Sequence, residues 1–127
     1  MPLVVDLRSF VSGSSHVLAL LDATGRVIEL NAAGAESLGL DPEGAVGRTL
    51  SVAGPWRSDP ELRATVERAV LVAGAGSEVG LTLELPASGG ATIELRLTPY
   101  RAEDDRTALI VAEAWDATDR VREARRL

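Results

Sequence analysis

An α+β domain is what this sequence predicts, with strands gathered toward both ends of the chain and helices between them. Three observations carry that prediction: a strand–turn–strand signal in residues 16–30, an amphipathic stretch in 60–73, and three runs of period two between 79 and 114. In the first, the apolar runs 16–21 and 26–30 flank Asp22-Ala-Thr-Gly25, where the glycine suits a positive φ and the aspartate can bond the turn. In the second, Asp59-Pro60-Glu61 is a helix start, and Leu62, Val66, Ala69, Val70 and Ala73 fall on one face before Gly74 and Gly76. In the third, Val79, Leu81, Leu83 and Leu85, then Ile93, Leu95 and Leu97, then Ile110, Ala112 and Ala114 alternate with other residues. The links "PASGG" and "EDDR" have turn chemistry, so these strands read as antiparallel hairpins.

Shorter elements fill the remainder. Residues 3–12, with Val4, Leu7, Phe10 and Val11, predict a leading helix that ends at "SGSS". After Asn31 a short helical pattern carries Ala35 and Leu38 and stops at Gly39. "DPEGAVG" repeats the start signal, with Asp41 as cap, Pro42 at the first helical position and Gly47 as stop.

Composition narrows the chemistry. The 127 residues, 46% apolar and 25% charged, suit one globular domain with a real core. No apolar run approaches the roughly 20 residues of a membrane span, and the amino terminus lacks the features of a signal peptide, so a cytoplasmic location is expected. The absence of cysteine excludes disulfides, thiolate nucleophiles and cysteine-ligated metals. All 13 basic residues are arginine, which removes lysine nucleophiles, and the net charge of −6 opposes direct binding of nucleic acid.

Catalytic arrangements do not emerge. Glu103-Asp104-Asp105 falls in an expected hairpin tip, where a solvated turn is the simpler reading. Ser14-Ser15-His16 has no orienting acid, and no helix follows the glycines at 74, 76 and 80 to make a phosphate loop. No enzymatic activity and no metal site are expected.

Three motifs nevertheless occur together. "LLDATGRVIELNAAGAESLGL" resembles the opening of a PAS domain, "GRTL" at 47–50 is similar to that family's Gly-Arg/Lys, and "DATDR" at 116–120 resembles its closing Asp-x-Thr-Glu-Arg, with Asp119 for Glu. The resemblance spans residues 10–120 and divides the chain into a cap (1–14), a core (15–116) and the start of a signalling helix (117–127). It implies a five-stranded antiparallel sheet in order 2-1-5-4-3, with short helices and one longer helix on one face around a small pocket.

Alternation anchored on Asp22 and Asn31 turns Val17, Ala19, Leu21, Ile28 and Leu30 inward. With the resemblance, the expected ligand-binding set is Ala19, Leu21, Ile28, Leu30, Gly34, Leu38, Val66, Leu83, Leu95, Ala112 and Ala114. Small residues at 19, 34, 112 and 114 leave room for a small apolar ligand, although a filled aliphatic core satisfies the same pattern. Haem is argued against because residues 60–73 hold no histidine, His16 being the only one in the chain. A cysteinyl-flavin adduct is argued against because the segment after "GR" reads "TLSVAGPW"; Trp56 there reads as a cover of the pocket mouth rather than a flavin stacker.

Opposite the inward set, Leu18, Leu20, Leu109, Val111, Glu113 and Trp115 form a largely apolar outer face that needs cover. With Leu7, Phe10 and Val11 of the leading helix, the residues Leu18, Leu20, Val111 and Trp115 are the expected homodimer interface. At the other end, Asp116 is placed to cap a helix, Asp119 follows three residues on, and Asp116–Arg120 is an i,i+4 pair of opposite sign. Ala117, Val121 and Ala124 share a face. Asp116, Thr118 and Arg120 are accordingly the expected relay to an output domain, which in the family is a histidine kinase, a diguanylate cyclase or a transcription regulator. Two readings stay open: a sensory module with an apolar ligand, and a ligand-free dimerisation and protein-interaction module.

Overall fold

A computed structural model of the chain describes residues 16–31, 41–86, 89–101 and 108–126. The expected leading helix with Leu7, Phe10 and Val11, the Gly34–Leu38 segment and the acidic tip at 103–105 lie outside the described residues.

Strands β1 (Val17–Asp22) and β2 (Val27–Leu30) form the first hairpin, followed by helices α1 (Pro42–Ala45), α2 (Leu50–Ala53) and α3 (Pro60–Gly74). Strands β3 (Val79–Leu85), β4 (Ala91–Arg101) and β5 (Ala108–Asp116) complete the sheet, and α4 (Thr118–Arg126) leaves it. The sheet order is β2-β1-β5-β4-β3 with antiparallel pairing, as the resemblance implied. β1 and β5 therefore lie side by side at the centre although the rest of the chain separates them in sequence.

Local chemistry explains the boundaries. Asp22 Oδ1 accepts hydrogen bonds from Thr24 N, Thr24 Oγ1 and Arg26 N, which closes the β1–β2 turn. Gly25 takes φ +88°, and a β-carbon there would lie 2.5 Å from Val70 Cγ1, so both backbone and packing require glycine. Asn31 extends the hairpin with its side chain: Oδ1 accepts from Leu18 N at 2.6 Å and Nδ2 donates to His16 O at 2.9 Å. Its amide stands in for a peptide group at the end of the ladder. Asp59 caps α3 by accepting from Glu61 N and Leu62 N, with Pro60 in the first turn.

The core lies between the sheet and α3. Leu21, Val66, Ala73 and Leu97 are fully buried, and Leu83, Leu95, Ile93, Ile110, Ala112 and Ala114 join them. Each buried leucine contributes about 1.5–3 kcal/mol through removal from water. The cross-strand pairs Ala19↔Ala112, Val17↔Ala114, Leu95↔Ala114 and Leu97↔Ala112 put the period-two residues of β1, β4 and β5 on this one face.

Ile28 corrects the sequence reading. It was expected inward, yet it is 43% exposed while Val27 is buried. The register shifts between Leu20 and Leu21: Leu20 faces Glu29 but Leu21 faces Val27, leaving Ile28 as the extra residue of a β-bulge. Simple alternation counted back from Asn31 fails at that point.

Candidate functional site

Between the sheet and the short helices lies a cavity of about 20 Å³. Its sheet side consists of Val17, Ala19, Leu95, Ala112 and Ala114, continued by Val27 and Leu30 of β2. Its helical side consists of Ala45, Leu50, Ala53, Gly54 and Trp56. No lining side chain among the described residues is polar, and the volume is about that of one water centre. The three alanines on two adjacent central strands are what leaves the space: a larger residue at any of them would fill it.

Trp56 builds the opposite wall. Its indole is buried, Nε1 donates to Leu50 O at 3.0 Å, and a β-carbon on Gly54 would overlap the ring. The indole is therefore locked against α2 by one hydrogen bond and by the missing side chain at position 54. It sits in the wall of the cavity with its polar atom satisfied.

The expected ligand-binding residues separate into groups. Ala19, Leu30, Leu95, Ala112 and Ala114 line the cavity together. Leu21, Val66 and Leu83 are buried in the packed core away from it. Ile28 faces outward, and Gly34 and Leu38 lie outside the described residues. Sequence reasoning missed Val27, Ala45, Leu50, Ala53 and Gly54 as lining. The bulge hides Val27, whereas the "DPEGAVG", "GRTL" and "AGPW" segments held the signal for the others: three small residues and one leucine near one tryptophan.

Two residues beyond Ala114 of the cavity wall, β5 ends in the exit junction. Asp116 Oδ1 accepts from Thr118 N at 2.8 Å and from Thr118 Oγ1. Thr118 Oγ1 in turn accepts from Thr92 N of β4 at 2.9 Å, and Ala117 N donates to Thr92 O at 2.8 Å. The start of α4 is thereby bonded to β4 on both sides of one buried residue, Thr92. The Thr118 hydroxyl, then the Thr118 amide, hold the Asp116 carboxyl below its ordinary pKa of 3.8, and Thr24 does the same for Asp22.

Farther along α4, no side chain is buried. Arg120 forms an ion pair with Glu94 of β4, and Arg125 Nη2 lies 2.6 Å from Glu84 Oε1 of β3. The anticipated Asp116–Arg120 pair is not formed, because the carboxylate is taken by Thr118 and Arg120 reaches Glu94 instead. Exposed pairs of this kind are worth at most about 1 kcal/mol each.

On the outer face, Leu18 and Val111 are 8% and 3% exposed within one chain, packed with the half-buried Leu20 and Tyr100. Trp115 is half-buried, and its ring centroid lies 5.1 Å from that of His16, tilted by 38°. Among the described residues no helix is long and apolar enough to cross a membrane.

The sequence model of the PAS-fold family matches residues 11–122. The chain belongs to that family. Sensor histidine kinase TmoS of Ectopseudomonas mendocina is 31% identical to this PAS domain over 117 residues, 89% of the chain. The alignment covers 12% of TmoS, so the chain spans only a small part of that relative's length. The PAS domain of BvgS from Bordetella pertussis superposes with a TM-score of 0.70 at 18% identity, covering 99% of this chain and 94% of the other. The PAS domain of a Colwellia psychrerythraea protein gives 0.67 at 16% identity, covering 91% and 98%. PAS domains are in general sensory modules rather than enzymes, and a signal-sensing role fits this one.

Proposed function

We propose that this PAS domain senses a small apolar molecule in the cavity behind Trp56 and passes the state of that cavity to α4. The observation that carries the reading is the position of Ala112 and Ala114. They line the cavity from β5, the strand that runs directly into Asp116 and α4. A ligand that pushes on β5 also acts on the strand whose end is bonded to Thr92. The free energy available is the ligand's differential affinity for the two arrangements of that junction. An output domain following α4 is part of this reading, in keeping with the sensor-kinase relative, and so is a cytoplasmic location.

A second reading has its own support. A cavity of about 20 Å³ is close to a filled core, which favours a ligand-free module that joins two copies and positions their neighbours. The outer face of β1 and β5, with Leu20 and Trp115 half-buried, is the surface proposed for pairing in either case.

Native mass spectrometry of freshly purified protein, combined with thermal melts against small hydrocarbons and alcohols, separates the two. The sensory reading expects a bound mass or a rise in Tm that Ala112→Leu abolishes. A bare mass with an unmoved Tm across the panel, in a protein that sediments as a dimer, supports the ligand-free reading.

A further inference from the structure

The cavity has a thin place in its wall. Ala45 of α1 and Ala53 of α2 line the cavity and also line a surface groove of about 190 Å³ on the far side. Two methyl groups on two four-residue helices thus separate an apolar interior from an open groove. The rim of that groove carries Arg48 and Arg57, with Asp41 as its acid.

Backbone hydrogen bonds position the two arginines at the groove. Arg48 has its backbone fixed on both sides, with N donating to Ala45 O at 3.1 Å and its carbonyl accepting from Val27 N at 2.8 Å. Arg57 Nη1 donates to Gly54 O at 3.2 Å, which seats the guanidinium at the end of α2 and leaves its other N–H groups open. Neither forms an ion pair among the described residues, in contrast to Arg96, Arg120, Arg125 and Arg126. Asp41 is engaged with its own helix, where Oδ1 accepts from Glu43 N at 3.2 Å. The groove is locally cationic in a chain whose net charge is −6.

An all-apolar cavity excludes a charged group, because an unpaired carboxylate there costs far more than the hydrocarbon gains. A ligand carrying one charge must leave that charge at the rim. A guanidinium offers a carboxylate two parallel N–H donors, a geometry that an alcohol or a hydrocarbon cannot use. We propose that the ligand class is a small amphipathic carboxylate, with its hydrocarbon part passing between Ala45 and Ala53 into the cavity, which must widen from its resting volume of about 20 Å³ to take it, and its carboxylate held by Arg48 and Arg57. This rests on the sensory reading above and adds to it the charge of the ligand and the door by which it enters.

The test is calorimetric titration of the whole protein with hexanoate and, separately, with hexan-1-ol. It is run on the wild type, on the double variant Arg48→Ala/Arg57→Ala and on Ala112→Leu, with thermal melts to show that each is folded. The expected result is that hexanoate binds the wild type about tenfold more tightly than hexan-1-ol, as one charge-assisted hydrogen bond suffices to give. The double variant should lose that advantage and keep its affinity for hexan-1-ol. The advantage should also shrink as NaCl rises from about 0.05 to about 0.5 M, since the rim is exposed. Equal affinities of the wild type for both probes overturn the carboxylate assignment and leave the sensory reading standing. Retention of the hexanoate advantage in the double variant overturns the assignment to this rim. Hexanoate binding that survives Ala112→Leu reduces it to a surface ion pair and overturns entry into the cavity. Failure of both probes to bind the folded wild type overturns the amphipathic-carboxylate assignment, and the native mass and the hydrocarbon and alcohol panel decide the sensory reading separately.

Discussion

Asp-Ala-Thr occurs at residues 22–24 and again at 116–118, and the two copies begin with the same hydrogen bonds. In each, the aspartate Oδ1 accepts from the threonine N and from the threonine Oγ1. They then diverge. At the first copy Gly25 takes φ +88°, Gly25 N donates to Asp22 O, Arg26 N adds a third bond to Asp22, and the chain reverses into β2. At the second copy Asp119 follows in the first turn of α4, and Thr118 Oγ1 receives Thr92 N from across the sheet. One local motif therefore serves as a hairpin turn and as a helix start. The difference lies in the residue after the threonine and in whether the threonine hydroxyl has a partner in another strand. The side-chain bonds of the first copy stay within residues 22–26, whereas those of the second reach β4.

That difference is most easily broken at Gly25. Gly25→Ala forces an L residue to positive φ and drives a methyl into Val70, and together these should cost about 2–4 kcal/mol. Urea denaturation should show the loss, whereas Asp119→Ala, at the equivalent place in the second copy, should cost less than about 1 kcal/mol.

The threonines should differ next. Thr118→Val strips the Asp116 bond and leaves the amide of buried Thr92 unpaired, so a loss of about 1–3 kcal/mol is expected. Thr24→Val should lose no more than about 1 kcal/mol, its site being exposed and local. Hydrogen exchange sharpens the contrast: Thr118→Val should raise exchange across 118–126 and leave 17–22 protected, and the reverse pattern would contradict the wiring to β4.

Acid should act on both copies in the same sense. The Asp22 and Asp116 carboxyls are held below 3.8 in the folded protein, so each contributes stability above its ordinary pKa and loses that contribution as pH falls through the lowered value. Melts between about pH 5 and pH 2 should therefore show falling stability. Asp22→Asn and Asp116→Asn should each flatten part of that slope. A slope unchanged in both variants would mean that these bonds contribute nothing to the acid response. The smallest effect belongs to the exposed clasp of α4: Glu84→Gln, which frees Arg125, should change global stability by less than about 1 kcal/mol. Its signature should appear in exchange at 122–126 and should vanish at high salt.

The sheet was legible because period two is a strong signal, and the residues of β3, β4 and β5 that alternate in sequence share one face in the fold. The order of strands was legible only through the motifs, since nothing in alternation says that β1 pairs with β5. Ile28 was misread because a bulge adds one residue without leaving a compositional mark. Half of the cavity wall escaped for a different reason. Ala45, Ala53 and Gly54 matter for what they lack, and the absence of a side chain acquires meaning only when Trp56 is placed beside it. Arg120 likewise had a partner in its own helix by spacing and another across the sheet, and Asp116 was already committed to Thr118.

The central claim is that the cavity and the exit helix are coupled through β5. It is tested most directly by amide chemical shifts of the 15N-labelled protein during titration with hexan-1-ol. Shifts at Ala19, Ala112 and Ala114 that saturate together with shifts at Thr92 and Thr118 are predicted, and Thr118→Val should keep the first set while losing the response of α4. Saturating shifts around the cavity with Thr92 and Thr118 unmoved in the wild type would contradict the coupling.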